Sequence, residues 1–276
     1  MRFMPYLGLA LLGLGFSTAA SACDTVLTPD VSTIAASGSY CLNASRDRPI
    51  RIVSSNVELD CKGRTVSRRA DAQGEHIGIE VEPGNGVIVR NCRVDGYRSG
   101  ILLTAERDAQ LINNTILRAA EIAITVNGSR IPGPPGIRLT GNRVIGYWRG
   151  NDEYSVWTPA FDISNAPGVQ MINNVVVGYR GARGLVLAHS PDAQLTGNQF
   201  LDFTAEASGV ISLTDSPRAR LVHNTVAMDQ VRAREAMYSD TADHTCVENI
   251  AINTQGWGAG CAVSRYNIEQ PWYEPH

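Results

Sequence analysis

The sequence has few lysines and no block of basic residues. Lys62 is its only lysine, and the formal net charge of the 276 residues is −3. Nucleic-acid binding needs clustered cations to hold the phosphates, so the composition excludes nucleic acid as a partner. The sequence also lacks a C-x-x-C pair, which is typical of zinc sites. It has no apolar run of about 18 residues, so it predicts no membrane span.

The first residues predict a secretory signal that is removed on export. Residues 1–22 contain Arg2, an apolar stretch over residues 6–16 and the cleavage-site pattern ASA at 20–22. Cleavage there makes Cys23 the first mature residue, so acylation of Cys23 is an alternative, although the Leu usual before a lipidated Cys is missing. We therefore expect a periplasmic or secreted protein.

A short motif is repeated along the mature chain. Each full copy starts with a small residue, continues with alternating apolar residues and an Asn, and closes with a second apolar run; the copy from 56 is degenerate and has Asp60 in the Asn slot. The copies read NVELDCKGR from 56, GVIVRNCRV from 86, AQLINNTIL from 109, GIRLTGNRV from 136, GVQMINNVV from 168, AQLTGNQFL from 193 and ARLVHNTVA from 219. A period in the twenties with short strands is typical of a solenoid.

A second strand-like segment lies between successive copies. These segments are GIEVE from 78, GILLT from 100, AITVN from 123, AFDIS from 160, GLVLA from 184 and GVISL from 209. Period-2 alternation bounded by Gly and Asn favours strands over helices. We predict a parallel β-helix in which Asn91, Asn114, Asn142, Asn174, Asn198 and Asn224, with Asp60 in the early copy, form one internal ladder. The alternative is an antiparallel sandwich in which Asn marks hairpin turns.

These motifs resemble the right-handed parallel β-helix proteins of the pectin-lyase-like superfamily, over roughly residues 37 to 255. The resemblance implies an all-β fold: one parallel β-helix of about seven to eight coils over residues 23–276. We expect caps at about 23–48 and 236–276. The superfamily includes pectate lyases, polygalacturonases, alginate epimerases and members without known activity. The catalytic motifs of the three enzyme families are missing here, so no catalytic role transfers to a residue of this chain.

Six cysteines in an exported chain favour disulfides. Cys61 and Cys92 each follow the predicted ladder residue, so they are expected to stack about 4.8 Å apart in neighbouring coils. We then expect Cys246 to pair with Cys261 at the C-terminal end and Cys23 with Cys41 at the start. These bridges would fasten the exposed sheet edges at both ends.

Insertions indicate where a functional face lies, because loops vary while the solenoid core is constrained by packing. Residues 65–77, 127–135 and 147–159 are over-long, and all flank the sheet made by the GIEVE-type strands. Alternation predicts that one set of side chains on this sheet faces the core: Ile79, Val81, Ile124, Val126, Phe161, Ile163, Leu185, Leu187 and Leu213. It predicts that another set faces solvent, namely Glu80, Glu82, Thr125, Asn127, Asp162, Ser164, Ser212 and Thr214, with Tyr238 and Asp240 extending the column.

The candidate site combines this face with the 147–159 loop. The loop holds two of the four tryptophans, and aromatic rings stack on the apolar faces of sugars while charged groups bind hydroxyls or carboxylates. We expect substrate-binding roles for Trp148, Asp152, Glu153, Tyr154 and Trp157. The candidate catalytic residues are Asp162, His189 and Arg149, with His189 about 5 to 8 Å from Asp162 if it lies one coil on.

Two functions remain open from the sequence. The first is an enzyme on a polysaccharide, with uronate lyase or epimerase chemistry ahead of glycoside hydrolysis, which needs two facing carboxyl groups. The second is a non-catalytic β-helix that binds an envelope polysaccharide or acts as a surface scaffold. No cofactor and no metal site are predicted; Ca²⁺ is the alternative, but no motif supports it.

Overall fold

The computed structural model describes residues 23–70, 74, 76–129, 136–147, 158–179, 183–203, 209–228 and 235–271. The predicted signal segment 1–22 lies outside this range. The described residues contain only β-strands and no α-helix. In chain order the strands are β1 Thr25–Leu27, β2 Thr33–Ile34, β3 Gly38–Leu42, β4 Ile50–Ile52, β5 Val57–Asp60, β6 Thr65–Ser67, β7 Ile77–Asn85, β8 Ile88–Arg90, β9 Arg93–Asp95, β10 Ser99–Arg107, β11 Gln110–Ile112, β12 Thr115–Ala119, β13 Ile124–Asn127, β14 Arg138–Thr140, β15 Arg143–Tyr147, β16 Pro159–Ser164, β17 Gln170–Ile172, β18 Val175–Val177, β19 Arg183–Ala188, β20 Gln194–Thr196, β21 Gln199–Phe203, β22 Gly209–Thr214, β23 Arg220–Val222, β24 Thr225–Met228, β25 Glu235–Ser239, β26 His244–Val247, β27 Ile250–Thr254, β28 Cys261–Arg265 and β29 Ile268–Pro271.

The strands form three parallel sheets that run the length of the solenoid. Sheet A has 11 strands in the order β1-β3-β5-β8-β11-β14-β17-β20-β23-β26-β28. Sheet B has nine strands in the order β2-β4-β7-β10-β13-β16-β19-β22-β25, and sheet C has nine in the order β6-β9-β12-β15-β18-β21-β24-β27-β29. The described strand pairs are parallel throughout, from β1 with β3 to β27 with β29. The antiparallel alternative is therefore wrong.

Each coil passes from sheet A to sheet C and then to sheet B. Seven consecutive coils, from β5–β7 to β23–β25, give one strand to every sheet, and partial coils flank them at both ends. This confirms the predicted right-handed parallel β-helix of about seven to eight coils.

A glycine near the start of β7 and of β19 is required by the corner between sheets C and B. A Cβ at Gly78 would lie 2.3 Å from Cγ1 of Val94, and one at Gly184 would lie 2.4 Å from Cδ1 of Phe200. Real Cβ atoms do not approach so closely, because close-packed interiors have no spare volume. The absence of a side chain at these two glycines therefore lets sheets B and C approach each other closely.

The predicted Asn ladder is present where sheet A turns into sheet C. Its members are Asn114, Asn142, Asn174, Asn198, Asn224, Asn249 and Asn267. The side-chain Nδ2 of each donates to Oδ1 of the next at 2.9–3.1 Å. The Nδ2 of each also donates to a backbone carbonyl of the preceding coil, as Asn174 does to Leu139 at 2.9 Å. These bonds satisfy polar groups at a bend where the strands leave them unpaired.

The prediction was wrong by one residue at the start of the ladder. Asn91 lies in the preceding slot, where the backbone is left-handed (φ 54°), as is that of Asn113. Its Nδ2 donates instead to Oδ1 of Asp60 at 3.0 Å. Cys92 takes the ladder slot, and its backbone N–H donates to Oδ1 of Asn114 at 3.0 Å. Asn fits both slots, since it tolerates left-handed dihedrals and its amide can also bond along the stack.

All three predicted disulfides are present. Cys61 pairs with Cys92 (Cα–Cα 4.7 Å), Cys246 with Cys261 (5.8 Å) and Cys23 with Cys41 (5.7 Å). The Cys61–Cys92 bridge lies directly before the first ladder asparagine, so a covalent link continues the stack where the amides end.

Candidate functional site

The outward side of sheet B carries a column of side chains along eight of its nine strands, from β4 to β25. Strand register places them on successive rungs, and we call this column the outer row: Arg51, Glu80, Leu102, Thr125, Asp162, Val186, Ser212 and Tyr238. Rungs of a sheet are about 4.8 Å apart. The outer row is therefore a straight track of about 34 Å, long enough for several units of a polymer.

The predicted facing of sheet B is confirmed with one exception. The nine side chains assigned to the core are all 0–1% exposed, and Tyr238 is 41% exposed. Most of the side chains assigned to solvent are half-buried, as expected for the outer surface of a sheet. Ser212 is the exception, because it is only 1% exposed. Alternation fixes the direction of a side chain but cannot show what covers it.

Asp162 lies in the middle of the outer row on β16. Its neighbours there are Thr125 on β13 and Val186 on β19, neither of which carries a charge. The side chain is half-buried, and burial raises the pKa of its carboxyl group. Among the described residues no hydrogen bond or ion pair to this carboxylate is recorded. A partly desolvated carboxylate without a compensating partner is costly, and such groups concentrate at functional sites.

Ser164 and Asn127 form a polar pair beside Asp162 on sheet B. Ser164 Oγ donates to Oδ1 of Asn127 at 3.1 Å, and the two residues are register partners on β16 and β13. Both side chains are half-buried. The surface around Asp162 thus offers hydroxyl and amide groups of the kind that bond sugar hydroxyls.

His189 does not lie directly opposite Asp162 on the next coil, which was the premise of the predicted 5 to 8 Å. Asp162 pairs with Val186, and His189 follows Val186 by three residues, which corresponds to about 10 Å along a strand. His189 has a left-handed backbone (φ 50°) in the turn after β19. Its Nδ1 lies 3.4 Å from Oδ2 of Asp215 in the next coil. The structure therefore does not bring His189 and Asp162 into contact, because the turn carries the histidine beyond the strand.

The aromatic loop lies outside the described residues. This applies to Trp148, Arg149, Asp152, Glu153, Tyr154 and Trp157, so their predicted roles stay predictions. The loop leaves β15 at Tyr147 and enters β16 at Pro159. Asp162 is therefore three residues downstream of the point where this loop rejoins sheet B.

Sequence reasoning missed a depression at the N-terminal end of sheet B. Polar side chains and an apolar floor line it: Ser32, Thr33, Pro49, Ile50, Arg51, Gly74, His76, Ile77 and Glu80. Arg51 binds the carboxylate of Glu82 through Nη2, and its Nε lies 3.9 Å from Oε2 of Glu80. The hint in the sequence was that RIV at 51–53 has the alternation of a sheet-B strand.

Fold and site together define a parallel β-helix protein with a polar track on one sheet. A family model described as "Periplasmic copper-binding protein (NosD)" matches residues 31–202. Because this match spans more than half of the sequence, the chain belongs to the NosD family. Within the described part of the chain, no helix is long and apolar enough to cross a membrane.

Two solved structures are similar to the chain, both A-modules of Azotobacter vinelandii mannuronan C-5 epimerases. The AlgE6 module is 13% identical with a TM-score of 0.36, and the match covers 86% of this chain and 92% of that one. The AlgE4 module is 12% identical with a TM-score of 0.33, covering 86% and 79%. Comparison with curated proteins found no match. These similarities are too distant to assign an activity.

The family description raises the question of copper, which the described residues do not fit. Copper favours thiolate, thioether and imidazole ligands. All six cysteines are in disulfides, and Met171, Met228 and Met237 are at most 3% exposed. No group of three His, Cys, Asp or Glu residues in the described part is arranged to hold a metal. We therefore derive no step that involves copper.

Proposed function

We propose that this chain is an exported polysaccharide-binding β-helix and that sheet B, centred on Asp162, is its contact surface. The observation that carries the proposal is the half-buried Asp162 carboxylate, which lies midway along the outer row with no recorded partner in the described part of the chain. Donors from a ligand would compensate its burial. Sugar hydroxyls are donors of this kind, and a solenoid track suits a linear polymer better than a compact ligand.

Export to the periplasm or the medium is supported by two observations. Three disulfides are present, and disulfides persist in oxidising compartments. The family description is also periplasmic. The 1–22 segment provides the route, since it carries the pattern of a secretory signal.

Catalysis on the polymer is a second candidate, favoured by the raised pKa of Asp162. A carboxyl group that keeps its proton to a higher pH is suited to act as a general acid on a glycosidic oxygen. A hydrolase needs a second carboxyl group about 5 to 9.5 Å away, and Asp152 or Glu153 are the candidates. Lyase or epimerase chemistry needs a base instead. The candidates for that chemistry are Tyr154 and Arg149, together with His189, which is three residues beyond Val186, the register partner of Asp162.

Substitution of Asp162 separates binding from catalysis. Binding is measured by calorimetry on neutral and uronate polysaccharides, and turnover by new reducing ends and by the absorbance of unsaturated products. In a pure binder, Asp162→Asn changes affinity alone. In an enzyme, Asp162→Asn abolishes turnover while binding is largely kept. Wild-type binding and turnover in this variant would show that sheet B is not the site.

The aromatic loop is tested in parallel. Trp148→Ala and Trp157→Ala are each expected to weaken polymer binding by about 1 kcal/mol if the rings stack on sugars as aromatic rings stack on one another. Tyr266→Ala is the matched control, because Tyr266 is 79% exposed and lies between the two C-terminal strands β28 and β29, away from Asp162. Equal losses in all three variants would argue against a specific role for the loop.

A further inference from the structure

The depression at the N-terminal end of sheet B lies on the same outer row as Asp162. Glu80 pairs with Leu102, Leu102 with Thr125, and Thr125 with Asp162. Three rungs separate Glu80 from Asp162, which is about 14 Å at the spacing of parallel strands. A linear ligand lying on Asp162 along the outer row therefore reaches the depression after a few units.

The lining of the depression has the chemistry of a sugar site. Pro49 and Ile77 supply apolar surface, while Ser32 and Thr33 supply hydroxyls. A pyranose ring has the complementary surface, with C–H groups on its faces and hydroxyls on its rim. Binding sites of this type combine apolar walls with a few placed polar groups.

The charges in the depression disfavour an acidic sugar. Arg51 is the one arginine or lysine among the described residues that line the depression. Its guanidinium group is bound to the carboxylate of Glu82 and lies near that of Glu80. A uronate carboxylate in the depression would meet the carboxylate of Glu80 and a guanidinium that is already bound to Glu82. A hydroxyl group, in contrast, donates to Glu80, whose side chain is 37% exposed. Like charges across an interface suppress binding, so this end of the track selects against polyanions.

The part of the outer row between the depression and Asp162 lacks a basic side chain. Between the depression and Asp162 the outer row contains Leu102 and Thr125, which are uncharged. Asp162 itself is acidic. Of the described arginines, Arg138 lies on sheet A and Arg143 on sheet C, while Arg183 lies on sheet B at the start of β19, opposite Pro159. From Glu80 to Asp162 the charged side chains of the outer row itself are both acidic, which disfavours an anionic ligand there.

We propose that this depression is a second subsite for the polymer that binds at Asp162, and that the polymer is a non-acidic saccharide rather than a uronate. The inference rests on the proposed function, because it presumes that Asp162 binds a polysaccharide. It narrows that function by naming the substrate class and the residues that select it.

Calorimetry with oligosaccharides of matched length tests the subsite. The probes are a neutral hexasaccharide of N-acetylglucosamine, a hexasaccharide of glucose and a hexasaccharide of galacturonic acid. We expect the full chain to bind at least one neutral probe more tightly than the acidic one. Glu80→Gln is expected to weaken neutral binding about three- to tenfold, because the Gln amide oxygen still accepts the hydrogen bond but without the negative charge that strengthens it.

Glu58→Gln is the matched control. Glu58 is also a half-exposed glutamate bound to an arginine, with Oε1 2.6 Å from Nη2 of Arg90 and 33% side-chain exposure, but it lies on sheet A. This variant should bind the neutral probe as the wild type does. In the double variant Glu80→Gln with Glu82→Gln, affinity for the galacturonic acid probe should rise, most clearly at low salt where charges are least screened.

The outcomes separate this inference from the proposed function. If the neutral probe binds and Asp162→Asn weakens it but Glu80→Gln does not, the subsite is refuted while the function stands. Tighter binding of the acidic probe by the wild type refutes the non-acidic substrate class. If no probe binds, the proposed function fails and the inference fails with it.

Discussion

The Asn ladder and the outer row of sheet B repeat with the same rung spacing but differ in composition. The ladder uses one residue type on seven successive rungs; six of the seven side chains are buried, and each is bonded to its neighbour. The outer row uses eight different residue types on eight rungs, and its central carboxylate has no recorded partner among the described residues. Repetition thus marks where the chain is stabilised, and loss of repetition marks the surface on which we propose that a ligand binds.

The largest effect is expected from breaking the ladder at its centre. Asn174→Ala removes the acceptor for the backbone N–H and Nδ2 of Asn142 and the donor to Leu139 and Asn198. Each buried polar group left unsatisfied costs about 1–3 kcal/mol, so we expect a total loss of roughly 3–5 kcal/mol in the free energy of unfolding. Urea denaturation followed by circular dichroism measures it.

Gln170→Ala is the control for the ladder variant. Gln170 is on the outside of the neighbouring strand β17, and a surface substitution of this kind usually changes stability by less than about 0.5 kcal/mol. A loss of similar size in both variants would mean that the ladder is not a special source of stability.

The next effect concerns the bridge that continues the ladder. Cys61 and Cys92 are 31 residues apart, and closing a loop of that length is worth about 3–4 kcal/mol in the chain-entropy model. The double variant Cys61→Ala with Cys92→Ala should lose that amount in urea denaturation. The same change at Cys246 and Cys261, which are 15 residues apart, should cost somewhat less. The reverse order would show that native packing, rather than loop length, sets the contribution.

The predictions made from the sequence succeeded for the repeated part of the chain and were less successful for the outer face of sheet B. Fold, disulfide pairs and the inward face of sheet B follow from the repeat, because a fixed period determines which residues become neighbours on successive rungs. The error at Asn91 arose because adjacent Asn residues, as at Asn113 and Asn114, leave the slot ambiguous by one position.

The functional face was less predictable for a physical reason. The distance of His189 from Asp162 depends on a left-handed turn, and the burial of Ser212 depends on what lies over the sheet. The depression around Arg51 and Glu80 joins residues from three coils. Local alternation shows none of these three features, since each depends on contacts distant in sequence.

A smaller effect is expected from acidification at the C-terminal end of the solenoid. His244 is fully buried; its Nδ1 accepts the backbone N–H of Ala219 at 3.1 Å, and its Nε2 lies 2.7 Å from Oγ of Ser239. Burial lowers the pKa of His244, against the opposing influence of Asp243 and Asp240. Protonation therefore favours the unfolded chain, so this contribution to stability is fully present above pH about 6.5 and is lost as the pH falls through the folded-state pKa.

The histidine variant isolates that contribution. His244→Gln should reduce the acid-induced loss of stability by on the order of 1 kcal/mol, measured as the change in urea midpoint between neutral and acidic buffer. His76→Gln, at an exposed position, should leave the acid-induced loss unchanged. Identical pH profiles for His244→Gln and the wild type would refute a role for His244.

The smallest effect connects stability to the site itself. Burial raises the pKa of Asp162, so the ionised carboxylate is less favourable in the folded state than in the unfolded chain. The contribution of Asp162 to the free energy of unfolding is therefore largest below the unfolded pKa near 3.9, and it is lost as the pH rises through the folded-state pKa. Asp162→Asn should then raise the free energy of unfolding at neutral pH by a few tenths of a kcal/mol to about 1 kcal/mol. Polymer binding or turnover should fall in the same variant. This combination is expected where a residue is kept for function at a cost in stability. Thermal denaturation at neutral pH and at pH about 4 measures the difference, which should shrink in acid. A variant that is less stable than the wild type at neutral pH would show that the Asp162 carboxylate has a stabilising partner, and the case for a ligand at this rung would then lose its main support.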